Sequence, residues 1–298
     1  MNILKTLQAL AQPGHRASPM AAAPPTPAPE PPPPVFLAPN AEPEDEDEPV
    51  LPPDVGLRDS VASGQYNNKT GELYPGFAIT PDDIVLDVGC GDGDKAHFCA
   101  QRGAAIIFVD SDPGQVAIAS KRLANSRAKS LTPIVSDTNP LPLESGIATR
   151  VIASEVIEHV DDPVVFLKEL FRVGKPGALY LLTVPDPVCE GMQKKLAPPI
   201  HFQKPNHVRI IGRDEFARMT TDAGLEIVSR GSHGFYWAMW LLMFWSCKVD
   251  LSVANQHPVL QNWSTTWSAL LDTDDGLRVK QAFDEFMPIS QYIVARKP

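Results

Sequence analysis

"VLDVGCGDGD", residues 85–94, decides the fold. VLDV is an apolar run that reads as a strand, and it breaks at Gly89, Gly91 and Gly93. Glycines directly after a strand let the backbone turn tightly and let a ligand approach the N-terminus of the helix that follows. A dinucleotide fingerprint has the spacing GxGxxG. Here its third glycine would fall at Asp94, so the spacing is GxGxG, with Asp87 inside the strand end. An acid beside the turn suits a ligand bearing an ammonium group and repels a pyrophosphate. Asp110 closes the next apolar run, where a carboxylate can take both hydroxyls of a ribose.

Outward from that turn, apolar runs alternate with helical stretches. Residues 83–89, 104–110, 131–137, 149–155, 178–185, 225–231 and 290–298 read as strands. Residues 94–103, 113–126, 162–177 and 212–224 read as helices, with Pro113 suited to a first helical turn. Strands separated by helices mean a mostly parallel sheet with helices on both faces. The expected fold is α/β and Rossmann-like, with seven strands and a helical insertion before the last.

With these motifs in order, residues 82–231 resemble the class I S-adenosylmethionine-dependent methyltransferases, with a type 11-like domain. The resemblance implies S-adenosylmethionine as cofactor, with Asp87, Gly89 and Gly91 at its methionine end and Asp110 on its ribose. Asp137, which ends "PIVSD" before "PLPLESG", matches the acid that contacts the adenine amino group in many members. The chemistry asked of such a site is modest. The sulfonium already makes the methyl group electrophilic, so the protein aligns the acceptor with the C–S bond and excludes water. A hydroxyl acceptor also needs its proton removed, by a positioned base or a metal.

"SEVIEHVDDP", residues 154–163, follows the fourth strand and falls at the mouth of the cofactor cleft. If it is helical, Glu155, Glu158 and His159 share one face. The stretch resembles the motif of the ubiquinone-pathway and small-RNA O-methyltransferases, in which two glutamates and the following histidine bind a divalent cation. The small-RNA enzymes add a histidine from a later segment, and "PNHVRIIGRDEF" (205–216) offers His207 there. By that likeness Glu155, Glu158, His159 and His207 would hold Mg²⁺, Mn²⁺ or Zn²⁺. The other reading is metal-free, with His159 or His207 as general base and His201 as a third candidate.

Between the last two strands, "FYWAMWLLMFW" (235–245) is apolar on every side. As a helix it would span ~16 Å, too short to cross a bilayer. It reads as a core or dimer-forming helix, or else as the wall of a pocket for an apolar or lipid-linked acceptor or as a membrane-surface element. Residues 263–288 read as one or two further helices, which makes 235–288 a cap. "SGQYNNKTGELYPGF" (63–77) reads as an ordered loop, with Tyr66 and Tyr74 as candidates to close over the cofactor.

The chain divides into a tail, 1–53, and a methyltransferase domain, 54–298. The tail holds 15 of the 31 prolines and six acids in "EPEDEDE" (42–48), a composition that implies disorder. "MNILKTLQAL" at its start reads as a frayed terminus or a docking helix. The net charge of −10 argues against a dedicated nucleic-acid binder. Four scattered cysteines without a CxxC pair fit a reduced, cytoplasmic protein. The expected acceptor is a small molecule or a glycan- or lipid-linked hydroxyl. Two other readings stand beside this one: a non-catalytic docking module, and a nucleotide-dependent oxidoreductase, which Asp94 and the GxGxG spacing disfavour.

Overall fold

The computed structural model describes residues 55–298; the expectations for the proline-rich tail and its first ten residues lie outside the described residues. A short helix, α1 (Val55–Ala62), leads into the hairpin β1 (Glu72–Tyr74) and β2 (Phe77–Ala78). Then come β3 (Ile84–Val88), α2 (Asp94–Ala100), β4 (Ala105–Asp110), α3 (Pro113–Leu123), β5 (Ser130–Val135) and β6 (Ala148–Ser154). These are followed by α4 (Pro163–Val173), β7 (Gly174–Pro185), α5 (Pro187–Gln193), α6 (Arg213–Asp222) and β8 (Glu226–His233). The cap helices α7 (Phe235–Cys247), α8 (Pro258–Leu271) and α9 (Gly276–Phe286) precede the last strand, β9 (Ser290–Arg296).

Seven strands form one sheet in the order β5-β4-β3-β6-β7-β9-β8. β3 pairs in parallel with both β4 and β6, so the chain switches sides of the sheet beside it. β9 runs antiparallel to β7 and β8. The carboxyl ends of β3, β4, β6 and β7 share one edge, and ligands of open α/β sheets bind at such a switch point.

Alternation along each strand separates two cores. Leu86, Val151, Leu182 and Ala295 pack on one face against Phe166, Leu167 and Leu170 of α4 and Phe216 of α6. Val85, Ile152, Leu181 and Val294 pack on the other against Phe98 of α2 and Leu123 of α3. Asp-Pro pairs start three helices: Asp112, Asp162 and Asp186 each accept a bond from the first turn, with proline at N1.

Two expected boundaries change. The helix expected over 162–177 ends at Val173, and Gly174–Gly177 opens β7 instead. Pro176 explains this, because it biases Lys175 away from helical backbone and removes a donor. The loop expected over 63–77 contains a hairpin whose Leu73 and Phe77 are fully buried against α2.

The apolar helix α7 is the core of the cap. Phe235, Tyr236, Trp240, Leu241 and Phe244 are buried with Leu260 and Trp267 of α8 and Cys189 of α5. Among the described residues no helix is long and apolar enough to cross a membrane.

Candidate functional site

The glycine turn after β3 is held in left-handed backbone, with φ of +66° at Gly89, +56° at Gly91 and +80° at Gly93. A side chain is strained there. A Cβ on Gly89 would also stand 2.4 Å from Val156 Cγ2, so the turn passes directly under the loop after β6. Asp110 closes the turn: its Oδ2 accepts from Gly91 N at 2.9 Å and its Oδ1 from Asp112 N at 3.1 Å.

The resulting cleft is lined by Asp87, Gly89, Cys90, Asp92, Asp94, Lys95 and Ser154. Arg122 of α3 braces its acidic rim, reaching Asp92 at 3.0 Å and Asp94 at 3.4 Å. Tyr66 donates its hydroxyl to Asp94 at 2.5 Å, and Tyr74 meets His233 Nε2 at 3.2 Å. Both tyrosines flank the cleft edge, and burial pushes both phenols well above their ordinary range. Asp137 lies beyond the end of β5 on the surface and accepts from Asn139 N at 3.2 Å.

This donor set suits S-adenosylmethionine. Its carboxylates match an ammonium and a ribose diol. The lining carries three acids, Asp87, Asp92 and Asp94, against one lysine, Lys95, a balance that disfavours a pyrophosphate beside Gly89.

"SEVIEHV" is a tight turn rather than the helix that would put both glutamates on one face. Glu155 has φ +56°, which swings its side chain back to the strand ends, and its Oε1 accepts from Thr183 Oγ1 at 2.8 Å. Donor atoms of Glu158, His159 and His207 converge within 4.8 Å of one another, while the Glu155 carboxylate is engaged by Thr183. Burial raises the Glu155 carboxyl, with the Thr183 hydrogen bond opposing.

Three segments build the cluster. Val208 N donates to Glu158 O at 3.1 Å, which ties the loop that carries His207 to the turn. Arg209 clamps the same turn, donating to the carbonyls of Ile157 and Asp161 at 3.1 and 3.0 Å and to that of Val160. Glu158 is 1% exposed, and its carboxylate accepts no hydrogen bond from another of the described residues. Burial, and then the charge of Glu155, pushes its carboxyl well above the usual range.

The two histidines are oriented by oxygens. His159 Nδ1 lies 3.1 Å from Pro205 O, and His207 Nδ1 lies 3.0 Å from Glu190 Oε2. Each contact requires a proton on Nδ1 when the ring is neutral, which leaves the lone pair on Nε2. Imidazoles that ligate metals are held this way by a carboxylate or a carbonyl. A buried carboxylate without a donor beside two such rings fits a divalent cation.

His201 lies 4.8 Å from His207, centroid to centroid, inside the same pocket. Glu190, Thr183 and Arg209 are functional neighbours that motif spacing did not pick out. One signal was present for Glu190: "DPVCE" (186–190) has the Asp-Pro start of a helix, which turns the glutamate inward one turn later.

Known proteins agree with this geometry. The family model for a methyltransferase domain matches residues 60–230, more than half of the chain. The chain is 29% identical over 237 residues to trans-aconitate 2-methyltransferase of Mycobacterium tuberculosis, covering 76% of this chain and 80% of that one. It is 28% identical over 131 residues to malonyl-[acyl-carrier protein] O-methyltransferase of Serratia marcescens, 42% of this chain and 49% of that one. The structure of geranyl diphosphate C-methyltransferase from Streptomyces coelicolor superposes with a TM-score of 0.52 at 16% identity, over 82% of this chain and 76% of that one, a likeness of fold. The chain therefore belongs to this methyltransferase-domain family and is an S-adenosylmethionine-dependent methyltransferase.

Proposed function

We propose that the protein methylates an oxygen of a small-molecule acceptor, a hydroxyl in the first instance. The observation that supports this most is the pairing of a buried, donorless Glu158 with two oriented imidazoles beside the cofactor cleft. A methyl acceptor that is already nucleophilic would need no such group. A hydroxyl needs its proton removed as the new bond forms.

In this reading Asp87, Gly89 and Gly91 hold the methionine end of the cofactor, Asp110 the ribose and Asp137 the adenine. Glu155, carried on the same loop as Val156, positions the acceptor at the cleft mouth. His159 and His207 face the acceptor oxygen, and the one nearer the hydroxyl takes its proton at Nε2. Glu158 holds the positive charge that results. In the alternative form of this reading the Nε2 lone pairs of His159 and His207, with Glu158, would instead hold a divalent cation (Mg²⁺, Mn²⁺ or Zn²⁺), which would supply Lewis acidity to the acceptor oxygen in place of a histidine base. The cap contributes the apolar wall, through α7.

A second reading has a carboxylate as the acceptor, favoured by the acidic acceptors in the names of the two curated relatives. A carboxylate oxygen needs no base. The test is transfer of labelled methyl from S-adenosylmethionine to a fractionated small-molecule pool, followed by alkali. An ether survives alkali, and an ester releases labelled methanol. A base-stable product formed only without chelator supports the first reading. Full activity in EDTA removes the cation from it, and a base-labile product replaces it with the second reading. A glycan- or lipid-linked acceptor would appear as label in the macromolecular or organic-extract fraction.

A further inference from the structure

The segment after β7 gathers a second set of ligating groups, which shares only His207 with the acceptor side. α5 turns Glu190 inward, and the loop from Pro199 to His207 turns His201 and His207 inward; the three are 1%, 3% and 6% exposed. The loop is braced from within. Asn206 Nδ2 donates to Ile200 O at 3.0 Å, and His207 N donates to His201 O at 3.2 Å. One donor atom from each of Glu190, His201 and His207 lies within 4.8 Å of the other two. Trp245 of the cap walls the group 5.1 Å from the His201 ring, and its own Nε1 is anchored on Gln193 Oε1 at 3.1 Å.

His201 decides the matter. Among the described residues, neither of its ring nitrogens has a hydrogen-bond partner. Leaving a buried polar group unsatisfied costs about 1–3 kcal/mol, so an orphaned imidazole in a packed interior calls for an occupant. The orphan faces a carboxylate and a second imidazole, and that combination selects the occupant's chemistry. Mg²⁺ and Ca²⁺ prefer oxygen donors throughout. Two imidazoles and one carboxylate suit Zn²⁺ and similar first-row ions.

We propose that Glu190, His201 and His207 form a cation site of the borderline-soft class, for Zn²⁺ or a similar first-row divalent ion, whose binding releases the proton that His207 Nδ1 shares with Glu190 Oε2. It adjoins the Glu158 set through His207. It shares His207 with the acceptor reading above, but Glu190 and His201 are not ligands of that set, so variants of these two separate the sites. Its place under Trp245 links the cap to the loop that carries His207, so a bound ion would fix the loop rather than the acceptor.

The test is metal binding by the full chain. Chelator-treated protein is titrated with Co²⁺, followed by its visible absorption, and with Zn²⁺ in competition. S-adenosylhomocysteine binding reports that each variant is folded. His201→Ala and Glu190→Gln should weaken Zn²⁺ binding roughly 100-fold and change the Co²⁺ spectrum, while Glu158→Gln leaves this ion in place. Zn²⁺ affinity unchanged in folded His201→Ala and Glu190→Gln overturns the proposal. Loss in Glu158→Gln alone also overturns it and leaves a cation only on the acceptor side. Loss in His201→Ala but not in Glu158→Gln supports it and takes the cation out of the acceptor reading. No Zn²⁺ binding by the wild-type chain overturns both. If His201→Ala fails to fold, Glu190→Gln decides.

Discussion

The cofactor cleft and the acid–histidine cluster meet at one edge of the sheet but are built differently. The cleft is contiguous. Three glycines with positive φ follow one strand, and one acid from the next strand closes them by accepting from Gly91 N. The cluster is assembled. Glu158 and His159 come from a turn, His207 from a loop dozens of residues later, and Glu190 from a helix between them. A site made of backbone conformation is written in its glycines. A site made of converging side chains depends on loops, and spacing along the chain says little about which side chains converge.

If the two regions do separate jobs, removing the centre of the cluster should spare the cofactor. His207→Ala deletes the ring that both acid–histidine groups share. Methyl transfer should fall ~10²–10⁴-fold, the range for a positioned acid–base group, while S-adenosylhomocysteine affinity by calorimetry stays at the wild-type value. A parallel loss of cofactor affinity would break the division. Stability should also drop by about 1–3 kcal/mol, because Glu190 is left buried without its partner.

One contact crosses the boundary, and it gives the next test. Val156 sits on the acid–histidine turn and 2.4 Å from where a Gly89 Cβ would be. Gly89→Ala should weaken S-adenosylhomocysteine roughly 100-fold, with left-handed strain of order 1–3 kcal/mol plus the clash. Adding Val156→Ala removes the clash and leaves the φ cost, so the double variant should recover part of the affinity and not all of it. Full recovery would mean that backbone conformation at residue 89 is unimportant.

Charge at the cleft edge sharpens the contrast further. His233 is buried beside Tyr74, and burial, then Lys280 and Lys95, lowers its pKa to about 3. An exposed histidine titrates near ~6.5. Between those values the unfolded chain holds a proton that the folded chain rejects. Stability from this group is thus complete above about pH 6.5 and is lost as pH falls toward the folded value, by at most ~1.4 kcal/mol per pH unit. Asp59 slopes the other way: burial raises it to about 6, so its ionisation disfavours the fold as pH rises toward that value. Denaturant titrations at several pH values should show a flatter acid loss in His233→Gln and a steeper one in Asp59→Asn. An unchanged slope in both would mean that neither group titrates differently in the folded state.

Much of this was legible. The strands announce themselves as apolar runs between Asp-Pro helix starts, and the GxGxG turn with Asp87 and Asp110 gives the cleft. The hairpin at Glu72–Ala78 was not legible, because strands of three and two residues leave no periodicity. The direction of Glu155 was hidden too. Nothing in "SEVIEH" says that a glutamate will take φ +56°, a conformation imposed by Thr183 on the neighbouring strand. Glu190 and His201 meet His207 only because a loop folds back over α5, and that contact is tertiary.

Asp137 is the weakest member of the cleft and separates a built site from a borrowed contact. Unlike Asp87 and Asp110 it stands exposed, just past a strand whose residues are largely accessible on both faces, and only Asn139 N among the described residues donates to it. In the proposed role, a carboxylate in that position would meet an adenine amino group in competition with water, so the hydrogen bond would be worth about 1 kcal/mol net. Asp137→Ala should therefore weaken S-adenosylmethionine only about fivefold, and Asp137→Asn, which keeps an acceptor oxygen, should weaken it less. The same calorimetric titration that reads Gly89→Ala reads both. A loss of the size expected at Gly89 would show that Asp137 is enclosed when the cofactor binds, and that the cleft is completed by closure of the β5 end over the adenine.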